Sequence, residues 1–156
     1  MKKAIFTGLG CMLCVFVYAA ADTVRLASPD GRTNVAVWYE NGLRYSVLHN
    51  GVPLLVASEI DMTVLDGGVR KRIGRIRAVS RRKVDERISV PIPEKRRIIA
   101  NECNELEICC RNSYMIRFRA YDDGVAYRIE TGFRDSVLVV GETARFNFPA
   151  MSRTYF

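Results

Sequence analysis

The chain has 156 residues, a formal net charge of +7, one histidine and five cysteines. That length suffices for one domain. A lone histidine gives no support to a histidine-based metal site or proton relay. No Gly-x-Ser-x-Gly elbow or phosphate-cradling glycine loop is present either.

The N-terminus has the order of a secretory signal peptide. Lys2 and Lys3 come first, then an uncharged apolar run from Ala4 to Tyr18, then Ala19-Ala20-Ala21. Residues 1–21 are therefore expected to be removed, with cleavage after Ala21 or one residue earlier. The apolar run is short for a membrane span, and neither Cys11 nor Cys14 has a lipoprotein-type setting. The chain is expected to be exported, periplasmic or secreted, with no membrane span after signal cleavage. Asp22 to Phe156 then form one domain, whose charge falls from +7 to +5 with the loss of Lys2 and Lys3. Three cysteines stay, Cys103, Cys109 and Cys110. An odd number cannot all pair, and neighbours on a strand point to opposite faces. They read as unpaired thiols in apolar surroundings; a bridge from Cys103 would require a tight turn at Asn104.

The elements read as β-strands in chain order. Val24 and Leu26 lead into a Ser28-Pro29-Asp30-Gly31 turn. Val35, Val37 and Tyr39 alternate up to Asn41-Gly42, and Leu43, Tyr45 and Val47 alternate up to Asn50-Gly51, two strong hairpin signals. Val52 to Val56 and Glu59 to Leu65 are two further strands. Residues 70–95 are less regular, and Pro91 and Pro93 mark an extended loop. Strands resume at Arg97 to Ala100, at Leu106 to Cys110 and from Tyr114 to Ile129, where Asp122-Asp123-Gly124 forms a hairpin turn whose glycine tolerates positive φ. Val137 to Val140 and Arg145 to Phe148 complete the series. No helix and no repeat is visible. Close-set strands with glycine turns predict an all-β fold, an antiparallel sandwich or barrel. Each sheet should have one wet and one buried face, which fixes the register. The closing aromatics Phe146, Phe148, Tyr155 and Phe156 suggest a sandwich incomplete at the C-terminus.

Few residues carry chemistry. Asp122 and Asp123 are adjacent carboxylates of the kind glycoside hydrolysis uses in pairs, but turn composition accounts for them. Glu102 lies close to Glu105 and Glu107, which share a strand face and could hold a cation; a solvated face is expected. The basic run Arg70, Lys71, Arg72, Arg75, Arg77, Arg81, Arg82 and Lys83 also reads as a solvated face. Nucleic acid is not expected as the partner of an exported chain, an acidic polysaccharide or anionic membrane surface being the better alternatives. Tyr45, Tyr114 and Tyr127 alternate with core residues. Trp38 lies on the opposite face from Val37 and Tyr39, which makes it the candidate platform for a carbohydrate or a domain contact.

The wording of the central hairpin, Phe118-Arg119-Ala120-Tyr121-Asp122-Asp123-Gly124-Val125-Ala126-Tyr127-Arg128, resembles the N-terminal domain of glycoside hydrolase family 97. Ser28-Pro29-Asp30-Gly31, Gly42-Leu43-Arg44-Tyr45-Ser46-Val47, Val84-Asp85-Glu86, Asn104-Glu105-Leu106 and Phe146-Asn147-Phe148-Pro149 are similar to the family in the same order. The resemblance implies a β-sandwich like the super-sandwich of the galactose mutarotases. In the family this domain precedes a catalytic (β/α)8 barrel that hydrolyses α-glucosides or α-galactosides, with calcium near the active site. The family's catalytic carboxylates lie on the barrel, and the sandwich's calcium-binding glutamate comes from a segment beyond Phe156. No catalytic, cofactor or metal residue is therefore carried over to this chain. The expected function is a non-catalytic sandwich domain that supports and contacts such a barrel. The alternative is a stand-alone carbohydrate-binding module that takes oligosaccharide.

Overall fold

A computed structural model describes residues 23–92, 97–150 and 152–153. The signal-peptide reading, Pro93, Tyr155 and Phe156 lie outside the described residues.

The described residues contain ten strands and no helix: β1 (Val24–Ala27), β2 (Thr33–Tyr39), β3 (Leu43–His49), β4 (Val52–Asp66), β5 (Val69–Lys71), β6 (Ile76–Ser89), β7 (Ile98–Cys110), β8 (Tyr114–Tyr121), β9 (Gly124–Thr131) and β10 (Leu138–Ala144). They form two antiparallel sheets. One is ordered β1-β2-β3-β4-β10, with β5 paired to β4; the other is ordered β6-β7-β8-β9. The turn chemistry is local. Asn50 (φ 50°) and Gly51 (φ 78°) both take the left-handed conformation that a two-residue hairpin loop demands.

Alternation builds the layer between the sheets. Tyr114, Ile116, Phe118 and Ala120 on β8 are buried while the residues between them face outward. Tyr45, Phe118 and Tyr127 meet in a three-ring cluster with centroids 5.6–5.8 Å apart, the spacing of favourable tilted ring pairs. The buried hydroxyls are satisfied: Tyr45 donates to the Arg145 carbonyl at 3.2 Å, and Tyr114 faces the Met62 and Lys71 carbonyls at 3.0 and 3.1 Å. Burial, the proximity of Tyr127, and an opposing hydrogen bond with Ser58 leave the Tyr45 hydroxyl pushed up to about 12.

Five expectations need correction. Arg145–Phe148 is not a strand: β10 ends at Ala144, and the residues after it only follow its path along β4 through isolated backbone hydrogen bonds. Residues 70–95 are not irregular: most form β6, a 14-residue strand exposed along nearly its whole length. It shows no alternation because it is an edge strand with little to bury. The strands read as Val52–Val56 and Glu59–Leu65 are one strand, β4. The break is a bulge, where Tyr45 pairs Ser58 but Val47 pairs Leu55 and Ala57 takes φ 42°. The strands read at Arg97–Ala100 and Leu106–Cys110 are likewise one, β7, with Asn104 inside it and no turn there. Cys103, Cys109 and Cys110 are free thiols. Gly124 opens β9 with φ outside the left-handed region. The loop is Asp122-Asp123 alone, pinned from outside by the Asp30 N–H donating to Asp122 Oδ1 at 3.0 Å.

Candidate functional site

The two sheets are unequal in reach. The Tyr45–Tyr127 ring contact sets β3 over β9, the last strand of the four-stranded sheet. β4 and β10 therefore extend past it. Towards the Asp66 end of β4, Phe133 and Val137 pack over the core, and Val64 is fully buried. Towards the Val52 end the described residues leave the inner face open, with Leu54 48% exposed. A cleft of about 530 Å³ opens there. Val47, Leu54, Leu55, Val125, Phe146 and Phe148 give it apolar walls. Leu54, Phe146 and Phe148 are 48%, 54% and 58% exposed. Residues 145–148 continue β10's path along β4: Arg145 N–H donates to the Glu59 carbonyl and Val56 N–H to the Asn147 carbonyl, each at 2.9 Å. Alternation then sends Phe146 and Phe148 to the same side, into the cleft. Its rim is polar, with Arg32, His49, Asp122 and Asp123. His49 Nδ1 lies 3.0 Å from Thr33 Oγ1. Asp30, beside the rim, is held far below the usual carboxylate range by the Ser28 hydroxyl and the Arg32 N–H.

Trp38 stands elsewhere. It is half-buried on the outward face, opposite Arg44 on β3, and its Nε1 donates to Glu40 Oε2 at 3.4 Å. It is near the far end of β2 from the cleft and takes no part in it.

The outward face of the four-stranded sheet is not a simple solvated face. Glu105 is only 2% exposed. Arg82 Nε donates to it at 2.6 Å, Arg117 Nη1 at 2.8 Å and Arg119 Nε at 2.7 Å. Burial pushes its carboxyl up, but the hydrogen bonds from Arg82, Arg119 and Arg117 outweigh burial and hold it at about 2. Arg117 also bonds Glu107 and Glu130, each at 3.0 Å. Glu105 and Glu107 do share a face, as the spacing predicts, but guanidinium groups already occupy their oxygens. Asp61, the other buried carboxylate, is taken by Arg72 and the Ile73 N–H. Among the described residues no group of three or more His, Cys, Asp or Glu could hold a metal ion.

The basic run is a solvated face, as its composition predicts, with only Lys71 half-buried, yet several of its members are also paired. Arg72 pairs with Asp61, Lys71 with Asp66, and Arg82 with Glu105. Arg75 lies over the Tyr39 ring and Arg81 donates to the Arg25 carbonyl. Each is a tie from the loop or edge strand to the sheets. The cleft escaped the sequence reading, although its signal was present. Val52-Pro53-Leu54-Leu55-Val56 is apolar at every position, the mark of a strand meant to be covered on both faces.

Comparison with known proteins gives this geometry its context. The retaining alpha-galactosidase of Bacteroides thetaiotaomicron is 33% identical over 150 residues, covering 96% of this chain and 22% of that protein. A beta-arabinopyranosidase of known structure is 28% identical with a TM-score of 0.65, covering 81% of this chain and 21% of that one. A glycoside hydrolase family 97 enzyme from Pseudoalteromonas sp. strain K8, solved with acarbose, shares the fold at 18% identity with a TM-score of 0.70, over 81% of this chain and 20% of that one. The chain thus spans about a fifth of the length of the relatives it matches. The family model described as glycosyl-hydrolase 97 N-terminal matches residues 26–156, and this chain belongs to that family of N-terminal domains.

Proposed function

We propose that this chain is the non-catalytic N-terminal sandwich of an exported family 97 hydrolase, and that it docks on and supports the rest of that enzyme, including a catalytic (β/α)8 barrel. The observation that carries this reading is the cleft beside β9. A layer that leaves Leu54, Phe146 and Phe148 half in water beside a strand with a free edge invites added strands and packed side chains. The unequal lengths of this chain and its relatives support the same reading. On this reading the catalytic carboxylates and the calcium ion belong with the barrel, and the substrate is an α-glucoside or α-galactoside. The 156-residue chain alone should not turn over an aryl α-glucoside or α-galactoside; hydrolysis by the pure chain would overturn the proposal. The intact mass of the native exported product should greatly exceed that of residues 22–156.

A carbohydrate-binding module is the second reading. It is favoured by Phe146 and Phe148 exposed in one cleft next to Asp122 and Asp123, an apolar surface with polar groups at its border. Calorimetry against α-glucans and galactosides decides it: heat of binding abolished by Phe148→Ala supports it, and flat titrations remove it.

A further inference from the structure

Eight arginines of the described residues stand within 3.6 Å of a carboxylate oxygen. At the end of the sandwich that Phe133 covers, Arg75, Arg77 and Arg111 do not. All three are exposed. Two carboxylates of the adjoining β4 are already taken, Asp61 by Arg72 and Asp66 by Lys71. Arg77 and Arg111, with Asn112, line an open depression of about 370 Å³. Its backbone is held in three places. Arg111 N–H donates to the Arg75 carbonyl at 2.9 Å and Gly132 N–H to the Ser113 carbonyl at 2.8 Å, while the Asn112 side-chain amide donates to the Arg72 carbonyl at 2.9 Å. Gly74 lets the segments close up, since a Cβ there would sit 2.7 Å from the Arg111 Cβ. Arg75 lies over the Tyr39 ring, 5.9 Å from its centre, a contact that leaves its charge uncancelled. A fixed backbone thus presents arginines that no carboxylate of the described residues neutralises.

We infer that this end of the domain is a binding surface for an acidic polysaccharide, a sugar chain bearing carboxylate or sulfate groups that enters the depression between Arg77 and Arg111. A guanidinium is charged at every working pH, and its planar fork matches the oxygens of such groups. One exposed ion pair is worth little, so a single small anion is held poorly. A chain with repeated charges engages several arginines at once and gains from their multivalency. Shape selects among polyanions: a bilayer is flat and bridges over a depression, whereas one sugar chain fits into it. The choice of a glycan over nucleic acid rests on the reading of the chain as exported. The surface is at the opposite end from the open cleft, so a neighbour that covers the cleft leaves it free. It would hold the protein on an acidic glycan whatever the cleft binds.

The test titrates the full exported product with polygalacturonate and with dextran sulfate, which separate the carboxylate from the sulfate source, and with uncharged dextran. Salt is varied between about 50 and 200 mM. At least one charged chain should bind, less tightly as salt rises, and dextran should not. Arg77→Ala with Arg111→Ala should weaken binding at least about tenfold and lower the slope of log affinity against log salt by about two. Alanine keeps the Cβ beside Gly74, so the melting temperature should hold. Arg77→Lys with Arg111→Lys keeps the charge and should keep the slope. Arg87→Ala with Arg128→Ala removes the same charge from arginines that are already ion-paired, and should change binding by no more than about twofold. Failure of both charged chains to bind, or dextran binding equally well, overturns the inference. So does an equal loss in the two alanine pairs, which would mean general charge attraction, or a lysine pair as impaired as its alanine counterpart. Tighter binding of duplex DNA or of phosphatidylglycerol vesicles at equal charge concentration overturns it as well.

Discussion

Glu105 concentrates the residue-scale physics of this domain. A buried carboxylate is tolerated only when its charge is answered nearby, and here three guanidinium groups answer it. Its folded pKa of about 2 lies below the ordinary 4.5. The stabilisation is therefore present above pH 4.5 and is lost as pH falls through 4.5 towards 2. The shift corresponds to about 3 kcal/mol, an upper figure because Arg82 is more than half exposed. Glu105→Gln should lower stability at pH 7 by about 2–4 kcal/mol, since it leaves three arginines facing one another. It should also flatten the acid limb of the stability profile. Urea unfolding of both proteins at pH 7 and pH 3 checks this: a gap that closes at low pH supports the linkage, and an equal gap at both pH values refutes it. The sequence placed Glu105 and Glu107 on one face correctly. It could not place Arg82, Arg117 and Arg119 around them, because that takes strands from three parts of the chain in register.

At the scale of elements, what a single strand's own pattern encodes was legible, and what depends on a neighbour was not. Asn50-Gly51 announced its hairpin, and the alternation of β8 announced its core face. Burial of Phe118 at the centre of the ring cluster follows from that alternation, and Phe118→Ala should cost about 3–5 kcal/mol in chemical denaturation. β6 was misread because an edge strand has no buried partner to impose a period on it, save at Val84. β4 was split in two because the bulge at Ala57 interrupts the alternation without ending the strand. That bulge carries its own prediction. An alanine at φ 42° is strained by roughly 1 kcal/mol, and glycine accepts the conformation freely. Ala57→Gly should leave stability unchanged or raise it by up to about 1 kcal/mol, where glycine elsewhere in a strand would lower it. A clear loss in thermal unfolding would mean that the bulge is not held at this residue. Gly74 shows the converse. A Cβ there would sit 2.7 Å from the Arg111 Cβ, in a tight passage between Ile73 and β6, so Gly74→Ala should cost about 1–3 kcal/mol through overpacking.

On the scale of the whole molecule, one end of the sandwich has its core covered and the other, among the described residues, has it open. At the covered end the loop after β9 brings Phe133 against Tyr114, edge to face at 5.7 Å, and the arginines of the 72–82 stretch tie loop to sheet. At the other end the cleft and the exposed isoleucines Ile88, Ile98 and Ile99 of the β6–β7 hairpin meet solvent. Isolated in water, such a surface finds an apolar partner, and another copy of itself is the nearest one. Residues 22–156 should therefore associate as their concentration rises, and sedimentation measured over a concentration series should show it. Phe146→Ser with Phe148→Ser should suppress that association. Both rings are more than half exposed, so their loss removes little buried area, and the melting temperature should move by no more than a few degrees. The paired readings separate two causes of poor solubility. A chain rescued by the double substitution at unchanged stability aggregates through its open cleft in the folded state. A chain that stays insoluble, or that melts much earlier, aggregates through unfolding. A wild-type chain that is monomeric at every concentration with a sharp melt would show that the cleft is not adhesive, and would remove the main physical reason for assigning it a docking role.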